Sequence, residues 1–504
     1  MATTAQPTSF LANRQGKLLL VLLCAVAFLD FLDASIVNVA LPTIRHDLHF
    51  TVQNLQWVLS GYLLTYGGFL LLGGRMADLL GRRRILLAGT SVFALSSLTA
   101  GLASSAGLLV GARLAQGVGA AMMSPAALSI LTTSFNRGTD RLKALGAWGA
   151  MAGISSAAGV FLGGLLAGGP GWRWVFFVNL PVCAIIIPAA FRLVSGEHRR
   201  APLATFDTPG AILVTAGMLL LVYTLIRVPD AGWSASQTIA GLSGALMLFA
   251  AFAFNELRHR NPLVPLSIFR IPGLAAADAT QVIAMAGFYS MFFFITLYMQ
   301  TVLQFSPLRA GAAYLPVTIG VAVSAGICSK LFEKTGTRPL IVGGALVAGG
   351  AVYWLSRIPA DGSYLTNLLA PLVIMSLGLG AVFVGVQTAA QADVPADKAG
   401  LAAALINSSL QVGAALGLAI FSVIATTRTH DLLAQHVSPA TAYTAGFQRA
   451  LFVSSLFLVG AALIAMRATN THGEPITDDE AAIAVSQASN PESAVSKQRY
   501  EETH

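Results

Sequence analysis

Apolar residues fall in long blocks along the chain, and each block ends at charged residues, proline or glycine. Blocks of about 20 residues are long enough for a helix to cross a hydrocarbon core of about 30 Å. The pattern predicts about fourteen transmembrane helices and lacks the alternation of apolar and polar residues typical of strands. The expected spans are 18–41, 55–73, 85–103, 107–133, 144–168, 174–194, 208–228, 236–255, 273–303, 309–332, 339–357, 365–391, 399–427 and 446–466.

Composition argues against a water-soluble protein. Of 504 residues, 55% are hydrophobic and 10% are charged, whereas a soluble globular domain carries about 25% charged residues. So few charges cannot cover the surface of a folded domain in water. The predicted fold class is an all-α integral membrane protein.

The net charge of +8 would suit a nucleic-acid partner if the basic residues were clustered. They are instead spread over short loops, chiefly those that join an even-numbered span to the next odd-numbered one. These loops contain Arg75, Arg82, Arg83, Arg84, Arg137, Arg141, Lys143, Arg192, Arg199, Arg200, Arg258, Arg260, Arg270, Lys330, Lys334 and Arg338. Because basic loops stay on the cytoplasmic side, we expect a multi-pass inner-membrane protein with both termini in the cytoplasm and no nucleic-acid partner.

Both ends of the chain lie outside the apolar blocks. Residues 1–17 are expected to form a cytoplasmic N-terminus before an uncleaved first span, whose apolar run is too long for a signal peptide. Residues 467–504 lack apolar periodicity and are expected to form a disordered cytoplasmic tail. The three cysteines fall in separate spans, so neither a disulfide framework nor a metal site is predicted.

Two loops share one pattern of an acid, a glycine three residues later and a basic residue two after that. The members are Asp78, Gly81 and Arg83 after span two, and Glu333, Gly336 and Arg338 after span ten. Such a repeat indicates internal duplication. It predicts a six-helix N-terminal half at 18–200, an inserted helix pair at 201–260 and a six-helix C-terminal half at 261–466. Parallel six-helix repeats with a midplane binding site are a known transporter plan.

Several motifs occur in order along nearly the whole chain. They are Leu32–Pro42 in span one, Gly74–Arg84 in the loop after span two, Arg113–Gly119 in span four, Trp172–Pro181, Phe206–Gly210, Tyr298–Gln300 and Ser306–Pro316. In these residues the chain resembles the major facilitator superfamily, and specifically its fourteen-span drug:proton antiporter branch. The resemblance implies the major facilitator fold, with two six-helix bundles plus two extra central helices.

Span five departs from the pattern of that branch. The branch motif usually has proline after its first glycine, whereas this chain reads Gly159-Val160 and then Gly163-Gly164. Valine does not kink a helix as proline does. Because the antiport direction of the branch is associated with this motif, the resemblance leaves export and uptake both open, with export the first choice.

Asp30 and Asp33 lie three residues apart in span one, so a helix places them on one face. A carboxylate at mid-bilayer costs about 2.5 to 3.5 kcal/mol on insertion scales and therefore normally faces a cavity or a partner. Both acids are candidates for proton coupling. The alternative is a carboxylate that holds helices together through hydrogen bonds.

Arg113 in span four carries a fixed charge that an acid, helix carbonyls or substrate must neutralise. The resemblance implies that Arg113 modulates the proton affinity of Asp33 or Asp30, as a further member of the proton-coupling site. A static ion pair is the alternative. Gln116 is then expected as a polar neighbour of the same site.

Other polar and aromatic residues of the spans are candidates for lining a substrate cavity. They are Asn38, Trp57, Gln116, Asp278, Gln281, Tyr289, Tyr298, Asn407 and Gln411. Asp278 is either a second acid that serves cationic substrates or an interfacial residue that reaches water. For the uncharged candidates, interhelical hydrogen bonding or interfacial anchoring is the alternative.

The repeated loops do not follow a phosphate-binding pattern. The resemblance implies that they form a conformational gate made of Gly74, Asp78, Gly81, Arg82, Arg83, Glu333, Gly336 and Arg338. Topogenic charge is the alternative, although it does not explain Asp78 or the glycines. Glycines spaced for close helix packing are Gly117, Gly159, Gly163, Gly164, Gly413 and Gly417.

The leading hypothesis is proton-driven export of amphipathic, often cationic, drugs, antibiotics or metabolites by alternating access. Because the sequence has no nucleotide-binding loop, a proton gradient is expected to drive this export. No cofactor is expected. Small-molecule substrates, protons and the lipid bilayer are the expected partners, without an obligate protein partner. The alternative is proton-coupled uptake or exchange of a specific metabolite. An enzyme is disfavoured, because every histidine falls in a loop or terminus.

Overall fold

The computed structural model describes residues 13–135, 138–195, 207–259, 262–390, 392, 394 and 399–471. Within these ranges the regular elements are helices. They are α1 (Arg14–Asp47), α2 (Val52–Leu55), α3 (Trp57–Leu80), α4 (Arg82–Gly101), α5 (Ala106–Ser134), α6 (Gly138–Gly168), α7 (Trp174–Phe177), α8 (Asn179–Leu193), α9 (Thr208–Ala231), α10 (Ser236–Arg258), α11 (Leu274–Leu297), α12 (Pro307–Ala313), α13 (Leu315–Thr335), α14 (Thr337–Leu355), α15 (Leu369–Ala389), α16 (Ala399–Ala434) and α17 (Pro439–Ala465). A 3₁₀ helix at Leu266–Arg270 and π-helical turns at Tyr298–Val302 and Tyr364–Leu368 complete them.

The prediction of an all-α membrane protein is confirmed. In the described part of the chain, 13 helical segments are long and apolar enough to cross a membrane. The remaining predicted span, 144–168, lies in α6, which contributes the shorter apolar helix Ala158–Gly168. Spans 174–194 and 309–332 are each divided into two α-helices, and spans 273–303 and 365–391 each join an α-helix to a π-helical turn. Apolar length alone does not predict these features.

Short-range sequence signals set the helix ends. Side chains of Asn13, Ser105 and Ser438 accept backbone N–H groups at the starts of α1, α5 and α17. Gly81 and Gly336 have φ angles of 101° and 82°, in a region that favours glycine. Each of these two glycines immediately precedes a helix, so the repeated loop pattern makes the same sharp turn twice.

The two predicted halves have the same pattern of neighbours. In the first half, α1 packs on α6, while α3 and α4 both pack on α5. In the second half, α11 packs on α16, while α13 and α14 both pack on α15. The last helix of each half, α8 or α17, lies against the first and third spans of its own half.

The repeated loops also make the same contact in each half. Arg83 donates from Nη1 to the carbonyl oxygen of Val194, just after α8, at 3.4 Å. Its counterpart Arg338 donates from Nε to the carbonyl oxygen of Ala468, just after α17, at 2.9 Å. The expectation of disorder from 467 is therefore wrong for 467–471, because this segment packs on the loop through such hydrogen bonds. The remainder of the predicted tail, 472–504, lies outside the described residues.

The halves meet along two seams. One seam joins α3 to α16, and the other joins α6 to α12 and α13. At the first seam Gly67 faces Gln411, and at the second Gly164 faces the backbone of Pro307 and Leu308. Glycine at these points lets the helix backbones of the two halves approach closely.

The inserted pair α9 and α10 packs beside the first seam, where α9 contacts both α3 and α16. Asp207 caps α9 by accepting the N–H of Gly210 at 2.8 Å, and it accepts the Asn255 amide of α10 at 2.7 Å. Burial opposes ionisation of Asp207, but the hydrogen bonds that it accepts, led by those from Asn255 and Glu256, outweigh this effect and lower the pKa of the carboxyl. One carboxylate thus joins both inserted helices to the segment that follows them.

Candidate functional site

The predicted acid and base of spans one and four meet inside the N-terminal half. Arg113 Nη1 of α5 lies 2.5 Å from Asp33 Oδ2 of α1, and both side chains have 0% exposure. Arg113 Nε also donates to the carbonyl oxygen of Val58 in α3 at 2.9 Å. The two opposite charges therefore neutralise each other among apolar helices, where burying either charge alone would cost several kcal/mol of desolvation free energy.

Amide side chains complete the surroundings of Asp33. Gln116 Nε2 of α5 and Asn179 Nδ2 of α8 both donate to Asp33 Oδ1 at 2.9 Å. Asn179 also donates to Ser97 Oγ of α4 at 3.0 Å, and Arg113 Nη1 donates to Gln116 Oε1 at 2.8 Å. Five helices of the N-terminal half thus contribute to one buried network. Gln116 belongs to this network and is itself fully buried.

Asp30 lies in different surroundings, although it is one turn from Asp33. Its Oδ1 accepts the hydroxyl of Tyr62 at 3.0 Å, and its Oδ2 accepts the hydroxyl of Tyr66 at 2.6 Å. The ring of Tyr62 lies 4.3 Å from the guanidinium carbon of Arg113. Tyr62 is therefore in contact with both the second acid and the cation of the buried pair.

Tyr62, Tyr66, Asn179 and Ser97 are not among the residues predicted from the sequence for this site. The signal was present, because Tyr62 and Tyr66 are spaced by one helical turn in an apolar span. Asn179 is likewise a polar residue within span six. Searching every span for uncharged polar residues at helical spacing would have found them.

A second polar group lies in the C-terminal half. Asp278 of α11 is 6% exposed and accepts the hydroxyl of Ser409 in α16 at 3.0 Å. Its Oδ2, both amide atoms of Gln281, and Gln411 Oε1 are buried without a hydrogen-bond partner within the described structure. Asp278 is thus buried between helices and does not lie at a fully exposed interface.

The remaining cavity candidates have varied surroundings. Asn38 is buried, and its Oδ1 has no partner among the described residues, while Trp57 is half-buried at the start of α3. Asn407 is exposed and donates to the carbonyl oxygen of Ala403 in its own helix. Tyr298 donates to the carbonyl oxygen of Pro359 at 2.5 Å, so its hydroxyl secures a loop of the C-terminal half and is not free for a solute.

The predicted gate residues mainly contact neighbouring helix ends. Arg82 donates to Thr133 Oγ1 at 3.0 Å, and Arg83 lies over the ring of Phe191 at 5.0 Å. A Cβ at Gly74 would be in ordinary contact with Pro125. These contacts join α4 to the ends of α5 and α8. The side chains of Asp78 and Glu333 lie outside the described part of the structure.

The glycines assigned to helix packing lie where another backbone passes close by. A Cβ at Gly163 would lie 2.6 Å from the carbonyl oxygen of Ile36, and one at Gly159 would meet Ser35 and Leu32. The other such glycines face neighbouring helices in the same way: Gly117 faces α3, Gly164 faces α12, and Gly413 and Gly417 face α11. These helices are therefore held at short separation beside Asp33 and Asp278.

Comparison with known proteins agrees with this architecture. A family model described as Major Facilitator Superfamily matches residues 23–418. The chain is 36% identical over 448 residues to the puromycin resistance protein pur8 of Streptomyces alboniger, covering 88% of this chain and 89% of that protein. It is also 36% identical over 440 residues to the cephamycin export protein CmcT of Amycolatopsis lactamdurans, covering 86% of this chain and 90% of that protein.

Solved structures share the fold at low sequence identity. A bacterial homologue of the human lysosomal transporter Spinster, in an inward-facing and unoccupied conformation, has a TM-score of 0.64 at 17% identity, covering 90% of this chain and 97% of that chain. A D-xylose–proton symporter has the same TM-score at 13% identity, covering 91% and 98%. With a family model matching most of its length and relatives that are 36% identical, the chain belongs to the major facilitator superfamily, in its drug-efflux branch.

Proposed function

We propose that this chain is a proton-driven exporter of amphipathic, often cationic, drugs, antibiotics or metabolites, working by alternating access. The observation that carries the proposal is the fully buried Asp33–Arg113 pair between α1 and α5. Such a pair is balanced only while both charges are present. A proton on Asp33 removes its negative charge and leaves Arg113 in need of another acceptor. Protonation of Asp33 therefore changes the contacts between these helices.

The names of the relatives support export as the direction. They include resistance proteins for puromycin and lincomycin, and proteins that export a cephamycin or tetracenomycin C. The opposite direction is supported only by Val160, which replaces the usual motif proline and lies in an uninterrupted α6. We therefore place export before uptake.

We assign both termini to the cytoplasmic side of the cell membrane, because the basic loops and the predicted even number of spans favour that orientation. Under that assignment, the ends of spans one and nine lie at the outer face. There Gln300 Nε2 donates to the carbonyl oxygen of Val39 at 2.9 Å, and Arg45 Nη2 donates to the Tyr443 hydroxyl at 3.4 Å. These contacts join the two halves at the outer face and support an inward-facing arrangement.

A proton gradient supplies enough free energy for this task. One proton that enters down about 100 mV releases about 2.3 kcal/mol. At about 1.4 kcal/mol per decade, that free energy sustains roughly a fifty-fold solute gradient. Proton entry coupled to solute exit therefore needs no nucleotide or cofactor.

The test is an antibiotic susceptibility panel in a pump-deficient host that expresses wild type or Asp33→Asn. The compounds named for the relatives, such as puromycin and lincomycin, come first. We expect wild type to protect against at least one compound and Asp33→Asn to protect against none at equal expression. Wild type that protects against nothing would contradict drug export.

Vesicles decide the direction. Inside-out vesicles acidified internally should accumulate a fluorescent cationic dye when they contain wild type, and a protonophore should abolish the accumulation. Asp33→Asn vesicles should not accumulate the dye. Proton-driven accumulation in right-side-out vesicles instead would favour uptake.

A further inference from the structure

The two acids of α1 differ in what neutralises them. Asp33 is bonded to Arg113 and to two amide groups. Asp30 accepts hydrogen bonds from neutral hydroxyls, those of Tyr62, Tyr66 and Ser124, and no Arg, Lys or His in the described chain forms an ion pair with it. A carboxylate that is 4% exposed is costly without a counter-charge. Asp30 therefore needs either a proton or a cation from outside the protein.

Asp30 lies where the two halves face each other. Tyr289 of α11, in the C-terminal half, is close enough to interact electrostatically with Asp30 and with Tyr66. The rings of Tyr62 and Tyr66 are 5.7 Å apart and inclined at 60°. Two tyrosines thus donate hydrogen bonds to the carboxylate, and a third, from the opposite half, lies within electrostatic range of it.

Aromatic rings and a carboxylate together suit one class of ligand. The faces of tyrosine rings attract cations, most strongly where water is excluded. A carboxylate adds a full negative charge. The two phenol hydroxyls can turn their hydrogens away from the carboxylate when a cation binds to it. A metal ion would need several further oxygen ligands, whereas an organic ammonium or other lipophilic cation needs apolar surface around its charge.

We propose that Asp30, with Tyr62, Tyr66 and Tyr289, binds the positively charged group of the transported solute, while Asp33 and Arg113 carry the coupling. This inference rests on the proposed export of cationic compounds and assigns its recognition site. It separates the roles of two acids that the sequence treats alike. Asp30 is a solute-binding residue, and the tyrosines form an aromatic cage around the bound charge.

Protons and solute compete for Asp30 under this proposal. The titratable and charged groups that face it are Tyr62 and Tyr66 from α3, Tyr289 from α11, Asp33 one turn along α1, and Arg113 across the ring of Tyr62. Acidification protonates the carboxyl and removes the charge that holds the cation. Tyr62 contacts both Asp30 and Arg113, so solute binding at one acid affects the contacts of the other.

The test is binding of tetraphenylphosphonium to the purified full-length protein, measured by calorimetry at several pH values. Wild type should bind, and its affinity should fall as the pH is lowered. Asp30→Asn should lose at least about tenfold in affinity at neutral pH. Asp33→Asn, the matched control one turn away, should keep its affinity within about threefold while losing proton-driven transport.

Conservative variants separate recognition from folding. Asp30→Glu keeps the charge and should retain most of the binding, even if Asp30→Asn unfolds. Tyr66→Phe removes a hydroxyl but keeps the ring, so it should weaken binding less than Tyr66→Leu does. Monodisperse gel filtration and a cooperative melting transition well above the assay temperature establish that each variant is folded.

Several results would overturn the proposal. One is wild-type affinity in folded Asp30→Asn, and another is loss of affinity in Asp33→Asn but not in Asp30→Asn. Wild type that does not bind tetraphenylphosphonium at all would also overturn it. If wild type nevertheless protects cells in the susceptibility panel, the proposed export function still holds. The exported compounds would then be recognised without a positive charge.

Discussion

Removing either charge of the Asp33–Arg113 pair leaves the other buried in an apolar half. Breaking a buried pair in this way costs about 3 to 5 kcal/mol, because the remaining charge keeps its desolvation cost without its counter-charge. Removing both charges is often far less costly. At the residue scale, stability and transport can therefore be separated by a double-mutant cycle.

Asp33→Asn and Arg113→Gln should each lower the melting temperature of the purified protein, and each should abolish proton-driven transport. The double variant should recover most of the stability but none of the transport. Thermal unfolding and dye accumulation in vesicles measure the two quantities. As a control, Asp47→Asn weakens the exposed pair with Arg173 and should change stability by less than about 1 kcal/mol. A double variant as unstable as the sum of the single variants would contradict this account.

At the scale of helices, glycine determines how closely α6 approaches α1. A Cβ at Gly163 would lie 2.6 Å from the backbone oxygen of Ile36, one turn after Asp33. A backbone atom cannot move aside as a flexible side chain can, so the whole helix must shift. In contrast, a Cβ at Gly111 in α5 would meet nothing within 4 Å. Gly163 thus permits the close approach of two helices, whereas Gly111 has no such role.

Gly163→Ala should destabilise the protein by about 1 to 3 kcal/mol and reduce transport, because displacement of α1 moves Asp33. Gly111→Ala should leave transport unchanged and stability unchanged or slightly higher, since alanine favours helix more than glycine does. Melting temperature and vesicle transport are measured for both variants. Equal effects of the two substitutions would show that the close approach of α6 to α1 at Gly163 does not determine stability or transport.

At the scale of the whole molecule, alternating access requires the two halves to separate where they now touch. The second seam brings the end of α6 against the start of α12. A Cβ at Gly168 would lie 4.0 Å from the Cβ of Pro307, within the range of about 3.5 to 4.5 Å found in disulfides. A reversible covalent bond can therefore be placed across this seam.

The pair Gly168→Cys and Pro307→Cys should form a disulfide on oxidation and stop transport, and a reductant should restore it. The three native cysteines, Cys24, Cys183 and Cys328, are first replaced by serine. Maleimide labelling measures bond formation, and the two single-cysteine variants serve as controls. Full transport by the cross-linked protein would contradict separation of the halves at this seam.

Apolar length and loop charge predicted the membrane class and most of the helices, because every backbone polar group in lipid must be satisfied within its own helix. The repeated loop pattern also predicted that Arg83 and Arg338 occupy equivalent positions in the two halves. Each of them donates a hydrogen bond to a carbonyl oxygen just after the last helix of its half. The irregularities within four spans were not predicted, since apolar length does not show where a helix is interrupted or changes its hydrogen-bond pattern. The disordered tail was placed too early, because the contacts of 468–471 are with residues more than a hundred positions away.

The sequence by itself determined that few charges enter the membrane and that Asp30, Asp33 and Arg113 are among them. It could not decide which acid pairs with Arg113, because both lie on one face of α1 and Arg113 is 80 residues from its partner. Only the packing of α3, α5 and α8 around α1 determined that Asp33 pairs with the arginine and that Asp30 bonds to the tyrosines. Helix rotation and depth decide such partners, and both are set by contacts between distant parts of the chain.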